Sequence, residues 1–471
     1  MSTTVTKTKT SNYQSVNPFD NKLIESFSEM TGPQLEAAIA KAQSCFEQWR
    51  HTSYKERAAI VAKAAEIMHA RSHEFARPVT LEMGKLIAQS EGEVKLSADI
   101  IAYYAKNAEH FLATEHLKPT TGEAEVVSSP LGVLFGVEPW NFPYYQLARF
   151  AAPNIMAGNV VMVKHAGCVP QCALAFERLW IEAGAPAGLY TNLFISHDQV
   201  NQVIDDPRIK GVALTGSVEA GKSVAGRAGM NLKKSTMELG GSDAFIVLED
   251  AEMEKTVKWA VWGKMNNTGQ CCVAAKRFIV VESLADEFLE KFQTALGKLK
   301  PGDPMETSTT LGPLSTEGAL IKLLGQVDQA VAHGAKVVIG GKRIDRPGAF
   351  MQPTIITNIK PSNPAYREEF FGPVALFFIV KNEAEAIALA NDSEFGLGGS
   401  VFTKDIARGR RVANSIDTGM VFINHPTWTT PDLPFGGVKN SGYGRELSSM
   451  GIQEFVNKKL VRVAPIDSSA A

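Results

Sequence analysis

Cysteine is scarce in this chain: five residues, at 45, 168, 172, 271 and 272, among 471. An odd, sparse set without a secretory leader excludes a disulfide framework and implies a reducing, cytoplasmic compartment. Long apolar runs are also missing. No stretch reaches the roughly eighteen residues a membrane span needs, so no membrane partner is expected. The N-terminal "MSTTVTKTKTSNYQSVNPFD" lacks the apolar segment of a signal peptide and reads as a loose tail. Charge of one sign is absent too. The net charge is −2, so no basic field argues for nucleic acid. The basic cluster "ARGRRVAN" reads as the solvated face of a helix. "HAGCVPQC" offers one histidine and two cysteines with no matching second half, so no metal site is expected.

What is present is a globular composition, 45% hydrophobic and 21% charged, on a length that implies two or three domains. Residues 33–115 read as successive helices, their apolar positions at helical spacing. "EAEVVSSP" breaks that pattern and reads as an extended arm. From residue 131 short apolar strands alternate with helices, as in "LGVLFGVEP", "NVVMVK", "GLYTNLF" and "IKGVALTG". Buried strands with intervening helices predict a parallel sheet covered on both faces, with its ligand at the carboxyl ends of the strands. A second alternating set, roughly 240 to 445, contains "AKVVIGG", "QPTIIT", "VALFFIV" and "MVFIN". The terminal "NKKLVRVAPIDSSAA" reads as an edge strand plus a loose end. Unpaired edges usually find partners, so a homodimer or homotetramer is expected.

Two motifs compete for the chemistry. "GSVEAGKS" satisfies the phosphate-binding loop pattern of NTPases, with Lys222 and Ser223 as its working residues and Glu249 and Asp250 as acidic partners. The alternatives are a chance match, or a tight turn at Gly216 and Ser217 over a dinucleotide pyrophosphate. The other motif is "NTGQCC", which follows a helix among small polar residues, where a loop can expose a thiol. A thiolate attacks carbonyl carbon well. It would need an oxyanion donor, a base and an acceptor for what leaves. Asn141 in "EPWNFP" ends the first strand of the alternating set and offers an amide. Glu238 in "TMELGGSD" precedes two glycines that allow close approach and offers a carboxylate base.

Together "PWNFP", "LTGS", "ELGG", "GQCC", "EEFFGP" and "PFGGVKNSGYGRE", in this order, resemble the NAD(P)-dependent aldehyde dehydrogenase superfamily over about residues 15 to 465. The resemblance implies an α/β chain with the aldehyde dehydrogenase fold. A Rossmann-like cofactor domain would take residues 1–111 and 131–239. A second α/β catalytic domain would take 240–445, and an extended β oligomerisation arm with the C-terminal segment 112–130 and 446–471. It makes Cys272 the nucleophile, Asn141 with the Cys272 N–H the oxyanion hole, and Glu238 the base that hydrolyses the thioester. The Walker-like match then becomes a coincidence on the family's dinucleotide turn.

By the same resemblance, Trp140, Lys164, Gly216, Ser217, Leu239, Glu369 and Phe371 line the cofactor. NAD-preferring members often carry a glutamate where this chain has Gly167. That absence makes room for a 2′-phosphate beside Lys164 and His165, and implies NADP with NAD tolerated. Arg149 stands where some succinate-semialdehyde-oxidising members grip the substrate carboxylate, while Asn266 replaces their second arginine. A lone arginine can still bind a carboxylate bidentately. Cys271, His425 and Trp428 are expected at the substrate pocket. A medium-chain or aromatic aldehyde is the alternative substrate.

Overall fold

The computed structural model describes residues 13–467. Two sheets dominate. The first has the order Gly442–Tyr443, Lys234–Glu238, Ile209–Thr215, Val133–Glu138, Val160–His165, Tyr190–Asn192. Its last five strands run parallel. In chain order this is the 3-2-1-4-5 arrangement of a dinucleotide-binding sheet, with its switch point between Val133–Glu138 and Ile209–Thr215. The carboxyl ends of those two strands lead into "PWNFP" and "TGS".

The second sheet has seven strands, in the order Lys336–Ile339, Thr354–Thr357, Val374–Val380, Ala275–Val281, Asp243–Val247, Gly399–Phe402, Phe422–Ile423. Both sheets depart from the all-parallel expectation at one edge. Gly442–Tyr443 and Lys336–Ile339 pair antiparallel. "GLYTNLF" and "MVFIN" shrink to Tyr190–Asn192 and Phe422–Ile423 at sheet edges, where one side lacks a ladder to extend. Each half has its own apolar core.

The helix Pro143–Ala157 lies at the centre of the first half. All its residues are buried, as expected of a helix that is mostly apolar around its circumference. Pro143 starts it, and Gly158 ends it at φ 96° in the left-handed region that favours glycine. It packs on the long helices Tyr54–Ala70 and Ile87–Phe111.

The loose-tail expectation needs correction from residue 13 onward. Tyr13–Asn17 pairs antiparallel with Lys22–Phe27. Tyr13 is buried, and its hydroxyl donates to the Ile195 carbonyl at 2.8 Å. One buried aromatic anchors a segment whose polar composition hid it. Residues 1–12 and the last four, including the expected loose end, lie outside the described residues. The arm is a three-stranded antiparallel sheet of Glu115–Leu117, Glu123–Pro130 and Val456–Val463. Among the described residues, no helix is long and apolar enough to cross a membrane.

Candidate active site

The loop that carries the cysteine pair is bent by its backbone. Helix Met253–Met265 ends, and Asn267 and Thr268 follow at φ 53° and 54°. Left-handed geometry is uncommon for a β-branched residue such as Thr268. Here Gly269 packs tightly on the Gly372 carbonyl, and the Thr268 hydroxyl donates to the Gly312 carbonyl at 3.3 Å. Gln270 is locked: its Oε1 accepts from the Ser315 N–H at 2.8 Å, and its Nε2 donates to the Asn267 carbonyl at 3.2 Å. Cys272 then emerges half-buried beside fully packed Cys271.

Asn141 meets this loop. Its Nδ2 donates to the Gln270 carbonyl at 3.2 Å, and Gln146 Nε2 lies 3.5 Å from its Oδ1. On the other side Lys276 Nζ donates to the carbonyls of Cys271 (2.8 Å) and Cys272 (2.7 Å) and pairs with Glu369 at 3.0 Å. Lys276 therefore ties the thiol loop to an expected cofactor residue. A Cβ on Gly241 would stand 2.6 Å from the Cys272 carbonyl oxygen, so "ELGG" needs glycine there to approach the loop.

The two thiols share a hydrogen bond. That bond lowers the Cys271 thiol against its burial, and the same bond raises Cys272. The group that titrates first is the pair, and its first thiolate is stabilised by the neighbouring S–H. Lys276 favours that thiolate from both sides of the pair, and Arg149 favours it at Cys272.

Glu238 is buried at the end of its strand, and neither carboxyl oxygen has a hydrogen-bond partner. Burial pushes its carboxyl well above the ordinary range and Glu446 adds to the rise, against Arg149 and Arg445. A carboxylate raised in this way is a stronger base than an ordinary one.

Arg149 is not at an open pocket wall. Its side chain is 0% exposed and ion-paired with Glu446. It also donates to the Tyr145 hydroxyl (3.2 Å) and Thr215 Oγ1 (2.9 Å), and stacks between Tyr145 and Phe435. The guanidinium expected to grip a substrate carboxylate is already paired with a protein carboxylate. Two of its five N–H donors are left for other partners.

The cofactor candidates lie at the carboxyl ends of the first sheet's strands and on the segment before Val374–Val380. Ser217 caps helix Val218–Met230, accepting from the Ala220 N–H at 3.2 Å. A Cβ added at Gly216 would meet only Leu214. Leu239 is buried, with its N–H on the Ser441 carbonyl at 3.0 Å. Trp140 and Phe371 meet edge to face, with centroids 5.8 Å apart. Glu369 accepts the Gly241 N–H at 3.0 Å. Lys164 ends its strand, half-buried, its Nζ donating to the His165 carbonyl at 3.2 Å. The Gly167 carbonyl accepts the Gln14 N–H at 2.9 Å.

His165 does not join them. Both its ring nitrogens face backbone carbonyls, of Glu138 and Pro143, and burial pushes its pKa down to about 4. It is a neutral structural residue, so a phosphate partner there is excluded.

The NTPase reading fails on backbone grounds. Residues 218–230 are helical from the motif's third position onward, so no loop wraps a phosphate. Lys222 and Ser223 lie on the exposed face. Glu249 and Asp250 are engaged by Arg408, and Asp250 also by Thr403, Lys404 and Asp405.

His425 and Trp428 do come together, with two tryptophans the sequence reading passed over. His425 stands 4.3 Å from Trp259, and Trp428 stands 4.9 Å from Trp262, centroid to centroid. Their loop reaches Tyr145 through a 3.0 Å contact between hydroxyls of Tyr145 and Thr429. Lys85, Glu93, Asn267, Lys276 and Glu446 were missed as well. Of these, Asn267 stood in "NTGQCC" and Glu446 in "GYGRE".

The sequence profile of the Aldehyde dehydrogenase family matches residues 5–461. The succinate-semialdehyde dehydrogenase (NADP+) of Deinococcus radiodurans is 50% identical over 459 residues, 98% of this chain and 96% of that protein. A probable succinate-semialdehyde dehydrogenase (NADP+) of Synechocystis is 45% identical, over 95% of this chain and 99% of that protein. The crystal structure of succinic semialdehyde dehydrogenase from Streptococcus pyogenes in complex with NADP+ superposes with a TM-score of 0.95 at 45% identity, covering 96% of this chain and 100% of that one. With an amide against its thiol loop and a buried carboxylate at the end of a strand of its dinucleotide-binding sheet, the chain belongs to the aldehyde dehydrogenase family.

Proposed function

We propose that this protein oxidises succinate semialdehyde to succinate with NADP+, and with NAD+ less well, through a thioester on Cys272. The observation that carries the chemistry is the convergence on one loop: Asn141 Nδ2 on the Gln270 carbonyl and Lys276 on the Cys271 and Cys272 carbonyls. The names of the relatives above support the substrate and the cofactor.

The Cys272 thiolate forms a C–S bond to the aldehyde carbon, and the carbonyl oxygen becomes an oxyanion. Asn141 Nδ2 and the Cys272 N–H hold that charge; one such donor is worth about 100- to 1,000-fold in rate. When bound, NADP+ supplies the hydride acceptor. Glu238 takes a proton from water, whose oxygen attacks the thioester carbon. The C–S bond breaks and Cys272 leaves as thiolate, which Arg149 and Lys276 favour.

The residues at the switch point suit a dinucleotide. Ser217 opens a helix whose N-terminus favours phosphate, beside Gly216, where an added Cβ would meet only Leu214. Trp140, Leu239, Glu369 and Phe371 would frame the nicotinamide half. Lys164 beside Gly167 would face the 2′-phosphate, with no side-chain carboxylate at 167 to repel it. Arg149 would give its remaining N–H donors to the substrate carboxylate, with Glu446 as the competing anion. His425 and Trp428 would line the entrance.

The arm supports a homodimer or homotetramer: Leu460, Val461 and Val463 lie exposed on its outer strand. Five free cysteines suit a cytoplasmic setting. A second reading, an aromatic aldehyde, is favoured by the cluster of Trp259, Trp262, His425 and Trp428. Comparing kcat/KM for succinate semialdehyde and benzaldehyde decides between them. A preference for the uncharged aromatic substrate would overturn the first reading.

A further inference from the structure

The helix Pro143–Ala157 begins directly behind Asn141 and brings no cap of its own. Phe142 is its N-cap residue and makes no side-chain bond to the first turn. The missing acceptor comes from the helix Ile87–Phe111. Glu93 Oε1 accepts from the N–H groups of Tyr144 at 2.8 Å and Tyr145 at 3.3 Å. A carboxylate here also complements the positive end of the helix.

Glu93 Oε2 is ion-paired with Lys85, and both side chains are 1% exposed. Lys85 Nζ donates to the main-chain carbonyl of Asn141 at 2.9 Å and sits 3.7 Å from the centroid of the Phe142 ring. Asn267 Nδ2 holds the same carbonyl at 2.8 Å. A buried ion pair is weak evidence for stability, because desolvation cancels much of its Coulomb gain. Its partners are more telling. The further side-chain hydrogen bonds of the pair fall on Asn141 and the turn that follows it. With that backbone fixed, the Asn141 amide is left to the contacts of its own head: Oδ1 toward Gln146 and Nδ2 toward Gln270.

We propose that Lys85 and Glu93 are positioning residues for the reaction: a buried ion pair that clamps the Asn141 backbone so that its amide meets the developing oxyanion. The proposal rests on Asn141 being the oxyanion donor, as proposed above. The pair acts through Asn141 and touches neither substrate nor cofactor.

A double-mutant cycle read by stopped flow tests it, using the burst of NADPH that reports thioester formation. Lys85→Met slows the burst by about ten- to a hundredfold, the order expected for a misplacement of about 1 Å. The same substitution in an Asn141→Ala background costs no further rate. NADP+ affinity, measured by fluorescence titration, stays within about twofold in both. Glu93→Gln keeps an acceptor for the helix N-terminus but removes the charge partner; it shows the same coupling in a variant of nearly unchanged shape. If Asn141→Ala leaves the burst at the wild-type rate, the oxyanion reading falls and the clamp with it. If Asn141→Ala is slow but Lys85→Met or Glu93→Gln slows both backgrounds equally, the clamp alone is overturned and the pair is structural.

Discussion

Arg149 and Glu446, far apart in the chain, form a buried ion pair. Arg149 favours the charged forms of both Cys272 and Glu238, so it lies within electrostatic reach of nucleophile and base. A substrate carboxylate would have to share this guanidinium with Glu446. Replacing Arg149 with Met should raise KM for succinate semialdehyde by about 10- to 100-fold, the worth of a charged hydrogen bond. KM for an uncharged aldehyde should change far less. The substitution should also lower the thermal midpoint, because a stranded buried Glu446 costs about 3–5 kcal/mol. Equal KM effects on both substrates would remove the grip.

The thiol pair makes a prediction about pH. The shared hydrogen bond lowers Cys271 and raises Cys272, so Cys271 draws the pair's first thiolate toward itself. In Cys271→Ala the largest cause that raises Cys272 is gone and only its burial still raises it. The acid limb of kcat/KM should therefore move to lower pH. Titrating activity from pH 5 to 10 in both proteins checks it, and an unmoved limb would leave Cys271 with packing alone.

Glu238 predicts a second pH effect. Its carboxyl is raised by burial, then by Glu446. The active base form therefore gains as pH rises above the ordinary carboxylate range, and thioester hydrolysis should rise with it. Glu238→Gln should keep the NADPH burst, slow steady-state turnover by about 100-fold or more and flatten this limb. Loss of the burst with no loss of hydrolysis would reverse the assignment.

Cofactor choice is testable at one residue. Gly167→Glu places a carboxylate where the 2′-phosphate of NADP+ would sit, near Lys164. The ratio of kcat/KM for NADP+ over NAD+ should fall by about tenfold or more, since like charges disfavour each other by several kcal/mol at close range. An unchanged ratio would place the adenosine phosphate elsewhere.

What could be read from the sequence was local. Cys272, Asn141 and Glu238 stand in short motifs whose glycines, proline and aromatics fix their own loops. The alternating strands were readable because burial on both faces leaves continuous apolar runs, as in "VVMVKH". What could not be read depends on long-range pairing. Lys85, Glu93 and Lys276 look like ordinary charged residues until folding buries them against Asn141 and the cysteine carbonyls. Arg149 was found by position, but its partner Glu446 was not, because spacing says nothing about what meets across the core. The hairpin at 13–27 was hidden because few of its residues are buried, and of those only Tyr13 is large.

The covalent intermediate on Cys272 is the centre of the account. Glu238→Gln, mixed with succinate semialdehyde and NADP+, quenched in acid and digested, should show a succinyl group on the peptide carrying Cys272. The adduct should be lost in Glu238→Gln/Cys272→Ala, where Cys271 remains. An adduct that persists on Cys271 in the double variant, or NADPH formation that survives Cys272→Ala alone, would contradict it.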